Sequence, residues 1–414
     1  MKKKILIILL ILALCISPVA SADWNCFQGD IQHTGYQKDA SDFVTNLWIF
    51  DMGSPIIGSP AINDSYMYLA SQNGLLKCID MSDGSEIWSL ELDNTTLASP
   101  VVENGTVYVG STETFYAVDG DNGKIIWETD ISGIENAACI YNEKVYVGAN
   151  NHIYCLNKDN GEIESDTNIS EDISTSLLIV NDTIYVGSQD TKLYALSLDG
   201  NVKWTFTTGD AIESEPTYGD GRIIIGSNDG NLYVLNESNG NSLFKVDLDD
   251  SVRAGASVDE HNNNIYVGSD AGNFSCIDLR DGTVKWSYNT GSAIETTPAL
   301  SGSNVAFASN NGVGYVLNIY TGEEVFTYNP GTMLFNSPIT SSPIIYGNSL
   351  FFAGNDGYVY SLNIDKHEVP ASVFLYYVLA IIVVVLVAIV IVNRVRKNNK
   401  KAKKRKYWNN HRAL

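Results

Sequence analysis

The sequence predicts an all-β fold: an eight-bladed β-propeller of four-stranded blades, with seven blades as the alternative. Three observations carry that expectation. A unit of about 40 residues recurs along the chain, as in VYVGSTETFYAVDGDNGKIIW from Val107, IYVGSQDTKLYALSLDGNVKW from Ile184 and IYVGSDAGNFSCIDLRDGTVKW from Ile265. Turn glycines Gly84, Gly123, Gly161, Gly200, Gly240, Gly282 and Gly322 return at steps of 38 to 42 residues. Within each unit, short β-branched and Tyr-rich runs alternate with period two and are divided by D-G or N-G turns, while helical periodicity is confined to the two ends of the chain.

Taken in order, Met1 to Ala22 reads as a signal peptide: three lysines, an apolar stretch and a small-residue end. Cys15 follows a leucine of the wrong size for a lipoprotein box, so lipidation is not expected. Residues 23–42 form a lead-in and 43–366 the propeller. An aromatic closes most units, at Trp88, Trp127, Trp204, Phe244, Trp286 and Phe326; the third unit departs, with Glu164-Ser165 in its place. The unit beginning near Ser342 stops before its fourth strand, and NLWIFDMG, with Trp48 one period before Trp88, is the missing piece. The first strand should therefore complete the last blade, closing the ring and removing its free edges.

Residues 371–392 carry no charge over 22 positions, and residues 393–414 hold ten basic groups and no acid. A helix of that length spans roughly 33 Å, enough for a bilayer core of ~30 Å. Under the positive-inside rule this predicts a single-pass type I protein of the cell membrane, with the propeller extracellular and the tail cytoplasmic. Of 26 Lys+Arg and 48 Asp+Glu, the leader takes three basic residues and the tail ten, leaving 13 against 48 between them. A net charge of −35 there excludes nucleic acid as the expected partner.

Motifs for catalysis are sparse. The five histidines show no metal-ligand spacing. The calcium-loop-like stretch Asp119 to Gly123 sits where every unit has a turn. Cys78, Cys155 and Cys276 share one repeat position with Ala117, Ala195, Val234, Val316 and Ser361, which marks a small buried strand site and predicts unpaired thiols. One constellation stands out. The residue after the apolar position opening each innermost strand is Ile57, Leu97, Glu135, Ser174, Glu213, Arg253, Glu295 or Thr340. This position belongs at the mouth of the central channel. Glu135, Glu213, Arg253 and Glu295 are thus expected to face one another, with Glu215 nearby, as a ligand or cation site; a solvated acidic rim is the plainer reading.

The repeat Y-V-G-S-x-D-G-x-L-Y-A-L-D-x-x-T-G-x-x-x-W resembles that of the pyrroloquinoline-quinone (PQQ)-like propellers, and Ile225 to Tyr233 is among its closest copies. The segment Trp24 to Tyr36 is similar to the same family's lead-in. The resemblance implies the propeller fold. It spans quinoprotein dehydrogenases, which hold PQQ and calcium on the axis, BamB-like scaffolds of outer-membrane protein assembly, and surface proteins. The adjacent Cys-Cys pair and the long inter-blade insertions of the dehydrogenases are missing here. The expected function is therefore a non-enzymatic scaffold binding a protein or cell-envelope component, with no cofactor, no metal and no catalytic residues. A PQQ- or metal-dependent oxidoreductase and a surface-layer or glycan-binding structural protein are the alternatives.

Overall fold

The computed structural model describes residues 36–37, 45–331 and 337–363. The leader (1–22), the 371–392 span and the basic tail lie outside the described residues. No helix among the described residues is long and apolar enough to cross a membrane.

Eight four-stranded antiparallel blades follow one another. Blade 1 runs outward from Ala61–Asn63 through Tyr66–Ala70 and Leu75–Asp80 to Glu86–Glu91. Blades 2 to 7 repeat the order, their innermost strands being Val101–Glu103, Cys139–Tyr141, Leu178–Val180, Thr217–Gly219, Ser257–Asp259 and Ala299–Ser301. The third unit is a true blade despite its missing aromatic. Blade 8 takes Ile344–Tyr346, Ser349–Ala353 and Tyr358–Asn363, and Thr45–Asp51 supplies its outermost strand, as the sequence predicts.

The core lies between blades. One apolar cluster joins Tyr68, Leu76 and Trp88 of blade 1 to Val102, Val107 and Tyr116 of blade 2, and similar layers fill the other junctions. The closing aromatics are wedges. Trp48, Trp88, Trp127, Trp204 and Trp286 each donate the indole N–H to a backbone carbonyl of the next blade, at Met81, Gly120, Lys158, Glu237 and Ile319. In each blade a register shift sits beside the closing position, a bulge that sharpens the twist of the outer hairpin. The small repeat position is directly across the strand pair from that residue: Cys78 faces Trp88, Ala117 faces Trp127 and Cys276 faces Trp286. Only a small side chain leaves room for the indole. Cys78, Cys139, Cys155 and Cys276 are free and buried.

The turn glycines meet the same wedges. Gly123 has φ +70°, and a Cβ there would lie 2.7 Å from the Trp88 ring. Gly221 has φ +71° with nothing within 4 Å of such a Cβ. Gly221→Ala should therefore cost about 1 kcal/mol of backbone strain, and Gly123→Ala about 2–3 kcal/mol, strain plus overpacking. Urea midpoints of the two variants measure the difference; equal losses would mean that the wedge does not set the turn.

One element has no counterpart in the sequence pattern. Tyr36–Gln37, within the lead-in, pairs in parallel with Leu300 and Ser301 on the channel-side edge of blade 7.

Candidate functional site at the channel mouth

The mouth is built by a repeated docking contact. In blades 2, 4, 5 and 6 the glycine ending the second strand is the seat for an aliphatic anchor from the following blade. Gly110 receives Ile134, Gly187 receives Ile212, Gly226 receives Val252 and Gly268 receives Ile294. These anchors are fully buried. Backbone bonds fasten three of them, Ile212 N to Ser188 O (3.3 Å), Val252 N to Ser227 O (3.0 Å) and Ile294 N to Ser269 O (3.1 Å). With the anchor fixed, the next residue is thrust toward the mouth: Glu135, Glu213, Arg253 and Glu295.

Three of the four meet. Arg253 Nε is 3.3 Å from Glu213, and its Nη1 is 3.6 Å from Glu295. Glu135 stands outside this ion cluster. It lines a channel cavity of about 170 Å³ with Glu215 and Glu295. A fourth partner escapes the sequence reading: Asp270, 3.5 Å from Arg253 Nη1. It comes from the turn after the second strand of blade 6. The corresponding turn residues are Gln189, Asn228, Asn310 and Asn355, so comparing these turns across units would have isolated the single carboxylate. Burial raises the Asp270 carboxyl above its ordinary range, with Arg253 opposing and Glu295 reinforcing the shift.

This turn position has a second property. The Oδ1 atoms of Asn228, Asp270 and Asn310, in blades 5, 6 and 7, are buried and make no hydrogen bond among the described residues. In blade 8 the equivalent Asn355 accepts from the mouth residue Thr340 at 2.9 Å. Blades 5 and 7 carry glutamates at the mouth, which have no proton to offer when ionised.

Deeper in the channel, small hydroxyls clasp adjacent blades. Ser99 Oγ accepts from Ser59 N (2.8 Å), Ser59 Oγ from Ser342 N (3.1 Å), Ser342 Oγ from Thr297 N (3.0 Å) and Ser176 Oγ from Ala137 N (3.3 Å). In blade 5 this position is Glu215. Partly buried in the channel, its carboxyl is pushed up to about 7 by desolvation.

Replacing Arg253 with glutamine should leave three carboxylates without their counter-charge. The expected loss is on the order of 1 kcal/mol at pH 8 for so exposed a cluster. It should shrink toward pH 4, because Asp270, its carboxyl pushed further up in the variant, takes up a proton more readily as pH falls. Urea unfolding at the two pH values checks it; a loss independent of pH would assign Arg253 a packing role only.

The mouth does not fit the quinone of the dehydrogenases. Pyrroloquinoline quinone is itself a polycarboxylate, and here it would meet Glu135, Glu213, Glu215, Asp270 and Glu295 with Arg253 already paired. The cavity is also below the ~300 Å³ at which small-molecule sites begin. Among the described residues no group of three or more His, Cys, Asp or Glu converges in a way that could hold a metal ion.

Fold and mouth together define a closed eight-bladed propeller of the PQQ-like repeat class with an acidic, acceptor-rich channel entrance. A family profile described as outer membrane protein assembly factor BamB matches residues 45–148, 116–259 and 228–369, and the chain belongs to this family. The BamB of Legionella pneumophila is 32% identical over 289 residues, covering 64% of this chain and 73% of that protein. The BamB of Escherichia coli is 32% identical over 105 residues, and the match spans 27% of its length and 22% of this chain. Among solved structures, BamB from Moraxella catarrhalis superposes with a TM-score of 0.67 at 18% identity, covering 78% of this chain and 100% of that one. A quinohemoprotein alcohol dehydrogenase from Comamonas testosteroni gives 0.70 at 14% identity, covering 84% and 82%. At such identities the two superpositions speak for the fold alone.

Proposed function

We propose that the chain is a non-enzymatic, membrane-anchored scaffold whose propeller, outside the cell, binds a protein or cell-envelope component through the loops of the channel mouth. The observation that carries this reading is the surplus of acceptors there. Carboxylates from blades 5, 6 and 7 gather around one arginine, Glu135 of blade 3 and Glu215 line the channel cavity next to them, and unpaired buried oxygens sit beside the cluster on three successive blades. A partner segment rich in N–H donors or cations would satisfy both. Loops on a rigid closed ring are where such scaffolds place recognition. The relatives' name, outer membrane protein assembly factor, supports a part in assembling envelope proteins. The uncharged 371–392 span and its basic flank support the anchor and its orientation.

Cross-linking in intact cells, then pull-down and mass spectrometry, tests the reading. Wild type should retain a specific envelope partner, and a Glu213→Ala, Glu295→Ala chain should lose it. A partner held equally by both would remove the mouth from the reading, and absence of any partner above background would count against the scaffold itself.

A further inference from the structure

The face opposite the mouth carries a second feature, a break in the repeat at blade 2. The five indole hydrogen bonds mark one equivalent position per blade, occupied by Met81, Gly120, Lys158, Glu237 and Ile319. Its side chain belongs over the groove between that blade and the preceding one. Gly120 alone in this series has none, and a cavity of about 380 Å³ lies in the groove between blades 1 and 2. Its walls include Tyr66 and Tyr68, and its rim Asn63, Asp64, Glu103 and Asp121. Among the described residues no lysine or arginine lines it. Asp121 and Tyr66 both lie close enough to Tyr68 to add to the upward shift that burial imposes on its hydroxyl.

The neighbouring groove shows what such a space accepts. There the chain inserts its own Lys158, whose ammonium sits 2.8 Å from Glu103 and 2.5 Å from Glu143. Its side chain is only 12% exposed. The charge of Lys158 is felt by Tyr108, the residue paired with Val101 at the same register as Tyr68 with Ala61. Glu103 borders both grooves. An ammonium held between two carboxylates, with its charge acting on a nearby tyrosine, is thus a solution this fold already uses one blade away.

We infer that the groove between blades 1 and 2 is a docking site for a lysine side chain of a basic protein segment, held as Lys158 is held in the next groove. The tyrosine faces take the methylene stem, and the carboxylates take the head. The strong negative charge of the region between leader and anchor draws such a segment in.

The test uses the full chain in detergent and a fluorescent acetyl-Gly-Lys-Gly-Lys-Gly peptide, followed by anisotropy at 0.05 and 0.3 M salt, about 13 and 5–6 Å of Debye length. A copy of the peptide with both lysines acetylated is the control. A photoreactive lysine version maps the contact by mass spectrometry. Saturable binding is expected, with cross-links to residues 63–68 and 103–121. Asp64→Asn with Asp121→Asn, both exposed, should weaken it about tenfold, some 1.4 kcal/mol. The cross-links to residues 63–68 and 103–121 should persist in a Glu213→Ala, Glu295→Ala chain, altered on the other face, which separates this site from the mouth. No saturable binding, equal binding of the acetylated peptide, an unaltered affinity in the Asp64/Asp121 variant, or cross-links confined to the mouth would each overturn the proposal.

Discussion

Glu215→Gln is expected to stabilise the chain at pH 8 by up to about 3 kcal/mol and to change it little at pH 4.5. The carboxyl sits inside the channel at a position where blades 1, 2, 4, 7 and 8 place a serine or threonine, and desolvation lifts it from 4.5 to about 7. The folded value therefore lies above the unfolded one. Between those two pH values the folded chain keeps a proton that the unfolded chain has released. The contribution of Glu215 to stability is thus full below about 4.5 and declines as pH rises to about 7, beyond which the folded state bears the whole cost of a buried charge. Glutamine preserves shape and removes the charge. Urea unfolding of both chains between pH 4.5 and 8 should give curves that converge at the acid end and separate at the alkaline end; parallel curves would show that the site is solvated.

Trp127→Ala is expected to destabilise the propeller by about 3–5 kcal/mol. The indole is 8% exposed, packs 6.0 Å from Tyr108 and 6.1 Å from Phe115 between ring centroids, and bonds Lys158 O at 2.9 Å. Its removal opens the junction between blades 2 and 3 and leaves a carbonyl of the next blade unpaired. Trp127→Phe keeps a ring and loses only the hydrogen bond, at about 1 kcal/mol; blades 5 and 7 use phenylalanine there naturally, at Phe244 and Phe326. Similar denaturant midpoints for the alanine and phenylalanine variants would show that the ring contributes little.

Features that recur in the sequence were legible, because each unit can be read against seven others. The shared site of Cys78, Ala117 and Cys276 reads as small from the alignment of units alone, and the structure supplies the cause, an indole across the strand pair. The mouth residues were legible for the same reason, since the docking of an aliphatic anchor on glycine repeats and fixes the position of its C-terminal neighbour. Features that occur once were hidden. Tyr36–Gln37 joins blade 7 through backbone bonds some 260 residues away, which no local pattern announces. Asp270 was masked because Asp and Asn are ordinary turn residues. Glu135 shares the channel with Glu295 yet stays out of reach of Arg253, a difference that depends on distances around the ring rather than on residue type.

The shared last blade also dictates an order of events. Ser342 N bonds Ser59 Oγ across 283 residues, and Thr45–Asp51 pairs with a strand near the far end of the domain. Bringing chain ends that distant together costs roughly 5 kcal/mol of loop entropy, recovered only when the whole ring is present. During synthesis the first strand therefore waits unpaired while seven blades form behind it. A chain halted before Tyr358 has nothing to latch onto, and in that interval blades 1 and 7 offer open flanks to any passing strand. The latch makes the finished ring slow to open, and it makes the period before closure the time when the molecule most needs a chaperone.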